Sequence, residues 1–318
     1  MKKFLKALPL PACGVMLGLA ALGNLLQAVF TNIFGSAGMG DTLRYICGAL
    51  SSVIWIALVL KLIVCSQGVK KALTSDPIAA SVFATFPMGT MLLAGYAKPF
   101  IGGAARIIWF AAVILHAALI VWFTLKYMVG LKLERVFASY FIVYVGIAAS
   151  SITAPAFGQQ AIGQAAFWFA FISLLCLLVP VTMRYVKIPV KDPAQPLLCI
   201  YTAPTALCIA GYIQSVANKS AAMVAGMLAL SSLLYVIVLI KTPSLLKLKF
   251  YPSYAAFTFP FAITAIAAMQ SMAFFKNAGW PQPWLRYVVI VETVIAVAMN
   301  LYAFIKYVQA LPVLMKQD

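Results

Sequence analysis

A chain of 318 residues that is 64% hydrophobic and only 9% charged, with a mean hydropathy of +1.02, has too little polar surface to cover a water-soluble globule. Its net charge of +17 would suit a nucleic-acid partner if the basic residues formed one patch, but they alternate in density from loop to loop, so no nucleic acid is expected. Apolar runs long enough to cross a hydrocarbon core of about 30 Å recur almost end to end, so the expected class is an all-α protein solvated by lipid.

In chain order, Lys2, Lys3 and Lys6 precede a first apolar stretch from Ala12 to Ile33 that is too long for the core of a signal peptide and is expected to be an uncleaved span. Ten transmembrane helices are expected, near 12–33, 43–65, 78–97, 104–129, 139–157, 163–186, 197–217, 221–241, 252–275 and 286–308, as one transmembrane domain covering 1–318. Short connections such as 159–162 and 218–220 make successive helices antiparallel neighbours. Arg44, Lys98, Arg106, Lys219, Lys276 and Arg286 fall on one side, and the other seventeen of the 23 basic residues fall on the side of the N-terminus. The positive-inside rule then places both termini in the cytoplasm of a bacterial cell, with the chain in its inner membrane. The six cysteines have no CxxC spacing and lie in apolar runs, which reads as buried small hydrophobes without a disulfide framework or metal site.

Prolines are unevenly distributed. Pro11 stands at the entrance of span one, and Pro87, Pro155, Pro204 and Pro260 fall within spans three, five, seven and nine, whereas the even spans have only Pro180, near the end of span six. The odd spans also concentrate small and hydroxyl residues, among them Gly14, Gly18, Thr85, Ser150, Thr205 and Thr258. Such prolines can serve as packing kinks, but an every-other-helix pattern favours five repeated hairpins whose odd helices face protein or a path and whose even helices face lipid.

Two titratable groups lie well inside spans, His116 in span four and Glu292 in span ten. Both are on even spans, so His116 is expected to be a neutral imidazole bonded between helices, and Glu292 a carboxyl that is protonated or paired with a neighbouring helix. The odd spans carry no acid, which disfavours a cation path and suits an anion. No HExxH, intramembrane aspartate pair or Ser-His constellation is present, so no enzyme and no cofactor is expected.

Three stretches carry a family resemblance: Pro9 to Leu22 with Gly14 and Gly18, Ser139 to Phe157 with Pro155, and Tyr254 to Ala262 with Thr258, Phe259 and Pro260. They resemble the first, fifth and ninth helices of the tellurite-resistance/dicarboxylate transporter family, which takes in bacterial tellurite-resistance proteins and plant guard-cell slow-type anion channels. The resemblance implies a homotrimer whose protomers each hold a pore, built from five hairpins in a quasi-fivefold ring. It also implies conduction of small inorganic or organic anions, with Phe259 as the gate. The pore-lining positions expected on this basis are Gly14, Gly18, Pro87, Pro155, Pro204, Thr258 and Pro260. The rival reading within transport is a proton-coupled C4-dicarboxylate or tellurite-related carrier. A dianion carrier is expected to hold an Arg or Lys near the midplane, where this sequence has none.

Overall fold

In lipid each backbone N–H and C=O must find its partner inside the chain, so a sequence this apolar resolves into helices, and irregular backbone survives only where protein or a cavity surrounds it. The computed structural model describes residues 1–317. We label its main segments α1 (Ala12–Asn32), α2 (Ala37–Val64), α3 (Pro77–Ile101), α4 (Gly103–Met128), α5 (140–157), α6 (Gln160–Lys187), α7 (Asp192–Ser215), α8 (Ala221–Leu245), α9 (Pro252–Asn277) and α10 (Leu285–Gln317). A short helix, Lys2–Ala7, precedes α1, and another, Ser66–Ser75, follows α2.

Among the described residues, nine of these segments are long and apolar enough to cross a bilayer. The tenth corrects the sequence reading: α5 is two short α-helices, Tyr140–Tyr144 and Ala148–Thr153, followed by a 3-10 turn, Ala154–Phe157. The break is local. The N–H groups of Val145 and Gly146 both donate to the Phe141 carbonyl, and a side chain at Gly146 would run into the Ile142 carbonyl and the Met88 sulfur.

Burial alternates along the chain. The most apolar stretches of α1, α3, α7 and α9 are 78, 78, 89 and 72% buried, against 28, 22, 33, 28 and 39% for α2, α4, α6, α8 and α10. The even helices turn outward stripes of large apolar side chains, such as Ile107, Ile114 and Val121 on α4 and Leu233, Val236 and Ile240 on α8. Spacings of three, four and seven residues keep each stripe on one helix face, as lipid contact requires.

Pro87, Pro204 and Pro260 fall in the first turns of new helices rather than bending continuous ones, whereas Pro99 lies inside the second half of α3. α3 is interrupted at Ala84, α7 passes from a 3-10 helix to an α-helix at Ala203, and α9 does so at Thr258. Pro204 and Pro260 occupy the first turn of the second half, where the missing N–H has no intrahelical partner to lose. Pro155 is different, because it lies in the terminal 3-10 turn of α5 and not at that segment's break. The even helices also extend past their expected ends, so that α8 includes Pro243 and α10 includes Pro312. Two cysteines depart from the expected burial: Cys176 is exposed on α6 and Cys65 is half-buried after α2.

Candidate functional site

The inner segments enclose two cavities, of about 1030 Å³ and about 240 Å³. α1 gives Gly14 and Leu17 to the larger and Ala21, Asn24 and Ala28 to the smaller, in steps of three and four that define one helix face. α9 continues in the same manner from Phe259 to Ile263, Ile266 and Gln270. α3 contributes Thr85, Met88 and Leu92, α5 contributes Val145, Gly146, Ala149 and Ile152, and α7 contributes Leu197, Ile200, Pro204 and Leu207. No residue of α4, α6, α8 or α10 lines either one. Leu207 and Phe259 are the two side chains common to both linings, so they stand between the cavities.

The position of Phe259 follows from the residue before it. Thr258 has φ −100° and ψ −90°, outside helical geometry, and ends the 3-10 half of α9. Its hydroxyl donates to the carbonyls of Gly14 (2.9 Å) and Ala255 (2.7 Å), while its own carbonyl accepts from Asn300 Nδ2 of α10 at 3.2 Å. The break is thus tied to the inner helix α1 on one side and the outer helix α10 on the other. The rings beside it have different tasks: Phe257 packs on Tyr254 and Tyr302, and Phe261 on Tyr235, all away from the cavities.

Of the residues singled out in the sequence, Phe259, Gly14, Pro204 and Pro260 line the larger cavity. Gly18, Pro87, Pro155 and Thr258 line neither. Gly18 is turned about 60° from Ala21 around α1, and it admits α9 and α10, since a Cβ there would overlap the Thr258 side chain and stand 2.8 Å from Asn300 Oδ1. Thr258 is fully buried, with its hydroxyl committed to backbone carbonyls. Pro155 sits at the far end of α5, where Lys98 Nζ donates to the Ala156 carbonyl. Leu207, Asn24 and Gln270 were not singled out. Asn24 could have been found as a polar side chain in an apolar span on the face of α1 that Gly14 begins, and Gln270 on the face of α9 that Phe259 begins.

Charge is distributed unequally. Lys2, Lys6 and Lys61 line the larger cavity with Asp76 as the one acid, and the smaller cavity has no charged residue in its lining. Lys61, buried at the end of α2, donates through Nζ to the carbonyls of Leu5 (2.7 Å) and Lys6 (3.0 Å), which holds the N-terminal helix at that mouth. His116 bridges α4 and α5: its Nε2 lies 2.9 Å from the Val143 carbonyl, one of the groups freed by the break in α5. A carbonyl only accepts, so Nε2 carries the proton, as a neutral ring allows. Glu292 is buried on α10, and its Oε2 has no hydrogen-bond partner among the described residues.

The family described as voltage-dependent anion channel, SLAC1, matches residues 8–308, a range that takes in the cavity-lining residues of α1, α3, α5, α7 and α9 but not Lys2 and Lys6 of the N-terminal helix. The chain belongs to the SLAC1 family. It is therefore a multi-pass membrane protein of a family of anion channels and transporters. The SLAC1 family sits in the tellurite-resistance/dicarboxylate transporter group that the three stretches resemble. No curated protein matches the chain.

Proposed function

We propose that this SLAC1-family chain is a passive anion channel in which the two cavities are halves of one conduction path and Phe259 is its gate. The observation that carries this reading is that Phe259 and Leu207 alone are common to both linings, at the end of a break in α9 latched on either side. An apolar constriction of this kind excludes water and so opposes a hydrated ion. Three lysines against one acid at the wide mouth favour anions over cations, and the mostly apolar, uncharged walls beyond the constriction, with a few amides, hold them weakly enough to leave. Ten crossings, paired as five hairpins in a quasi-fivefold ring within one transmembrane domain, account for the alternation of buried and exposed helices. The apolar outer faces of the even helices suit lipid and the contacts of a homotrimer in which each protomer keeps its own path.

Liposomes holding the purified protein test the reading with chloride, nitrate, sulfite and malate. A channel passes anions down their gradient at equal internal and external pH. Movement of malate only when a proton gradient is imposed would instead make the chain a coupled carrier. Gly14→Asp places a carboxylate in the larger cavity and is expected to cut chloride flux about tenfold or more. Gly14→Ala, whose Cβ would stand 3.0 Å from Ala255 Cβ, separates the effect of fit from that of charge. Normal flux in a folded Gly14→Asp protein would remove α1 from the path.

The orientation proposed is that of a bacterial inner-membrane protein with both termini in the cytoplasm, supported by the imbalance of basic residues. Reporter fusions after Lys71 and at the C-terminus are expected to give cytoplasmic signals. A periplasmic signal from either would overturn the assignment.

A further inference from the structure

Beyond Phe259 the smaller cavity contains polar groups that the gate does not use. Asn24 on α1 lines it, and its Oδ1 lies 3.1 Å from Nε of Arg44 on α2. A guanidinium only donates, so the oxygen of the Asn24 amide is the end that faces Arg44, and the NH2 is the end left for the cavity. That NH2 has no hydrogen-bond partner among the described residues. Arg44 is itself held, with its guanidinium carbon 4.6 Å from the centre of the Tyr96 ring, whose hydroxyl donates to the Ala20 carbonyl at 2.6 Å. Gln270 of α9 lines the same cavity, but its buried and unpartnered Oε1 is an acceptor and offers nothing to an anion. Gln27, which also lines the cavity, is oriented differently: its Nε2 donates to Asp41 Oδ1 at 2.6 Å, so that NH2 is already engaged.

We infer that the smaller cavity is a binding subsite for a small monovalent inorganic anion of the halide or nitrate class, received by the Asn24 NH2 under the field of Arg44. The inference rests on the channel reading above. The chemistry selects the ligand: an amide donor polarised by a cation placed behind it attracts a single negative charge without the direct ion pair that would trap it. A dicarboxylate would bring two charges into a space of about 240 Å³ that has no cation in its lining. The same arrangement explains why a guanidinium on an outward-lying helix is turned inward to an amide.

Bromide provides the probe. Crystals of the full chain grown in bromide are expected to show an anomalous peak at hydrogen-bond distance, about 3.3 Å, from Asn24 Nδ2. That peak should be absent in Asn24→Leu and weakened in Arg44→Met, which keeps the amide but frees its orientation. In liposomes, both substitutions placed in the Phe259→Ala background are expected to raise the half-saturating chloride concentration about fivefold, the equivalent of one lost hydrogen bond. Absence of bromide from the wild-type cavity, or an unchanged half-saturation in Arg44→Met, would overturn the subsite while leaving the channel intact. Phe259→Ala liposomes that pass no chloride would overturn the channel reading itself, whatever bromide does. If Asn24→Leu does not fold, Arg44→Met decides the question alone.

Discussion

Phe259→Ala is expected to raise chloride flux through reconstituted protein about tenfold or more, which corresponds to lowering the barrier by about 1.4 kcal/mol. The ring is the part of α9 that stands between the two cavities, and it has open space on either side. Its removal joins the cavities and lets water through the constriction, so an ion no longer sheds its hydration shell against an apolar wall. The ring is 7% exposed, so its truncation also carries the cost of removing a buried aromatic, up to about 3–5 kcal/mol, and flux is compared per folded protein. Phe257 and Phe261 supply the contrast. Both are fully buried against other rings, and their replacement by alanine should cost about 3–5 kcal/mol and leave flux per folded protein near that of the wild type. Liposome flux normalised to folded protein separates the two outcomes. If either neighbour opens the path and Phe259→Ala does not, the constriction lies on another face of α9.

Gly18→Val is expected to be the most damaging single substitution in α1. Three helices converge at this glycine: the Thr258 side chain meets it from α9 and Asn300 from α10. A valine here must push α1 off the break, and with it go the bond from Thr258 to the Gly14 carbonyl and the support that Asn300 gives to the Thr258 carbonyl. Overpacking of this kind costs about 3 kcal/mol, and it should appear as a clear fall in the unfolding temperature in detergent. Gly95→Ala is the control, since a Cβ there meets nothing within 4 Å and an alanine favours the helix. A Gly18→Val protein that unfolds at the wild-type temperature would show that this convergence is looser than the geometry states.

How much of this was readable in the sequence differs from residue to residue. The division into buried and exposed helices was legible, because proline and hydroxyl residues at membrane depth are tolerated only where protein or a cavity surrounds them, and Pro87, Pro204 and Pro260 fall on segments that are largely buried. The meaning of the prolines was only half legible. Composition marks an interruption, but whether a proline bends one helix or starts another depends on the neighbouring backbone, here the non-helical Thr258 and the 3-10 turns before it. The break in α5 was not legible at all. Its one local mark is Gly146, and the partner that satisfies the freed Val143 carbonyl is His116, 27 residues earlier on α4. Gly14 and Gly18, four apart, looked equivalent in sequence. The structure gives one to a cavity and the other to helix packing, because about 40° of rotation around α1 separates them. Asn24 and Gln270 carried a signal that composition alone does not rank, since a polar residue in a span points to a function only once its neighbours are known.

The central claim is that anions traverse both cavities in series, and obstruction of each in turn tests it most directly. In a Phe259→Ala protein with Cys65→Ser and Cys176→Ser, single cysteines are introduced as Val145→Cys in the larger cavity, Ile266→Cys in the smaller and Ile114→Cys on the outer face of α4. Chloride flux is then measured before and after attachment of a bulky thiol reagent. The account predicts that modification at Val145→Cys or at Ile266→Cys each lowers flux about tenfold or more and that modification at Ile114→Cys leaves it unchanged. Chloride flux that persists with both cavity positions fully modified would contradict it.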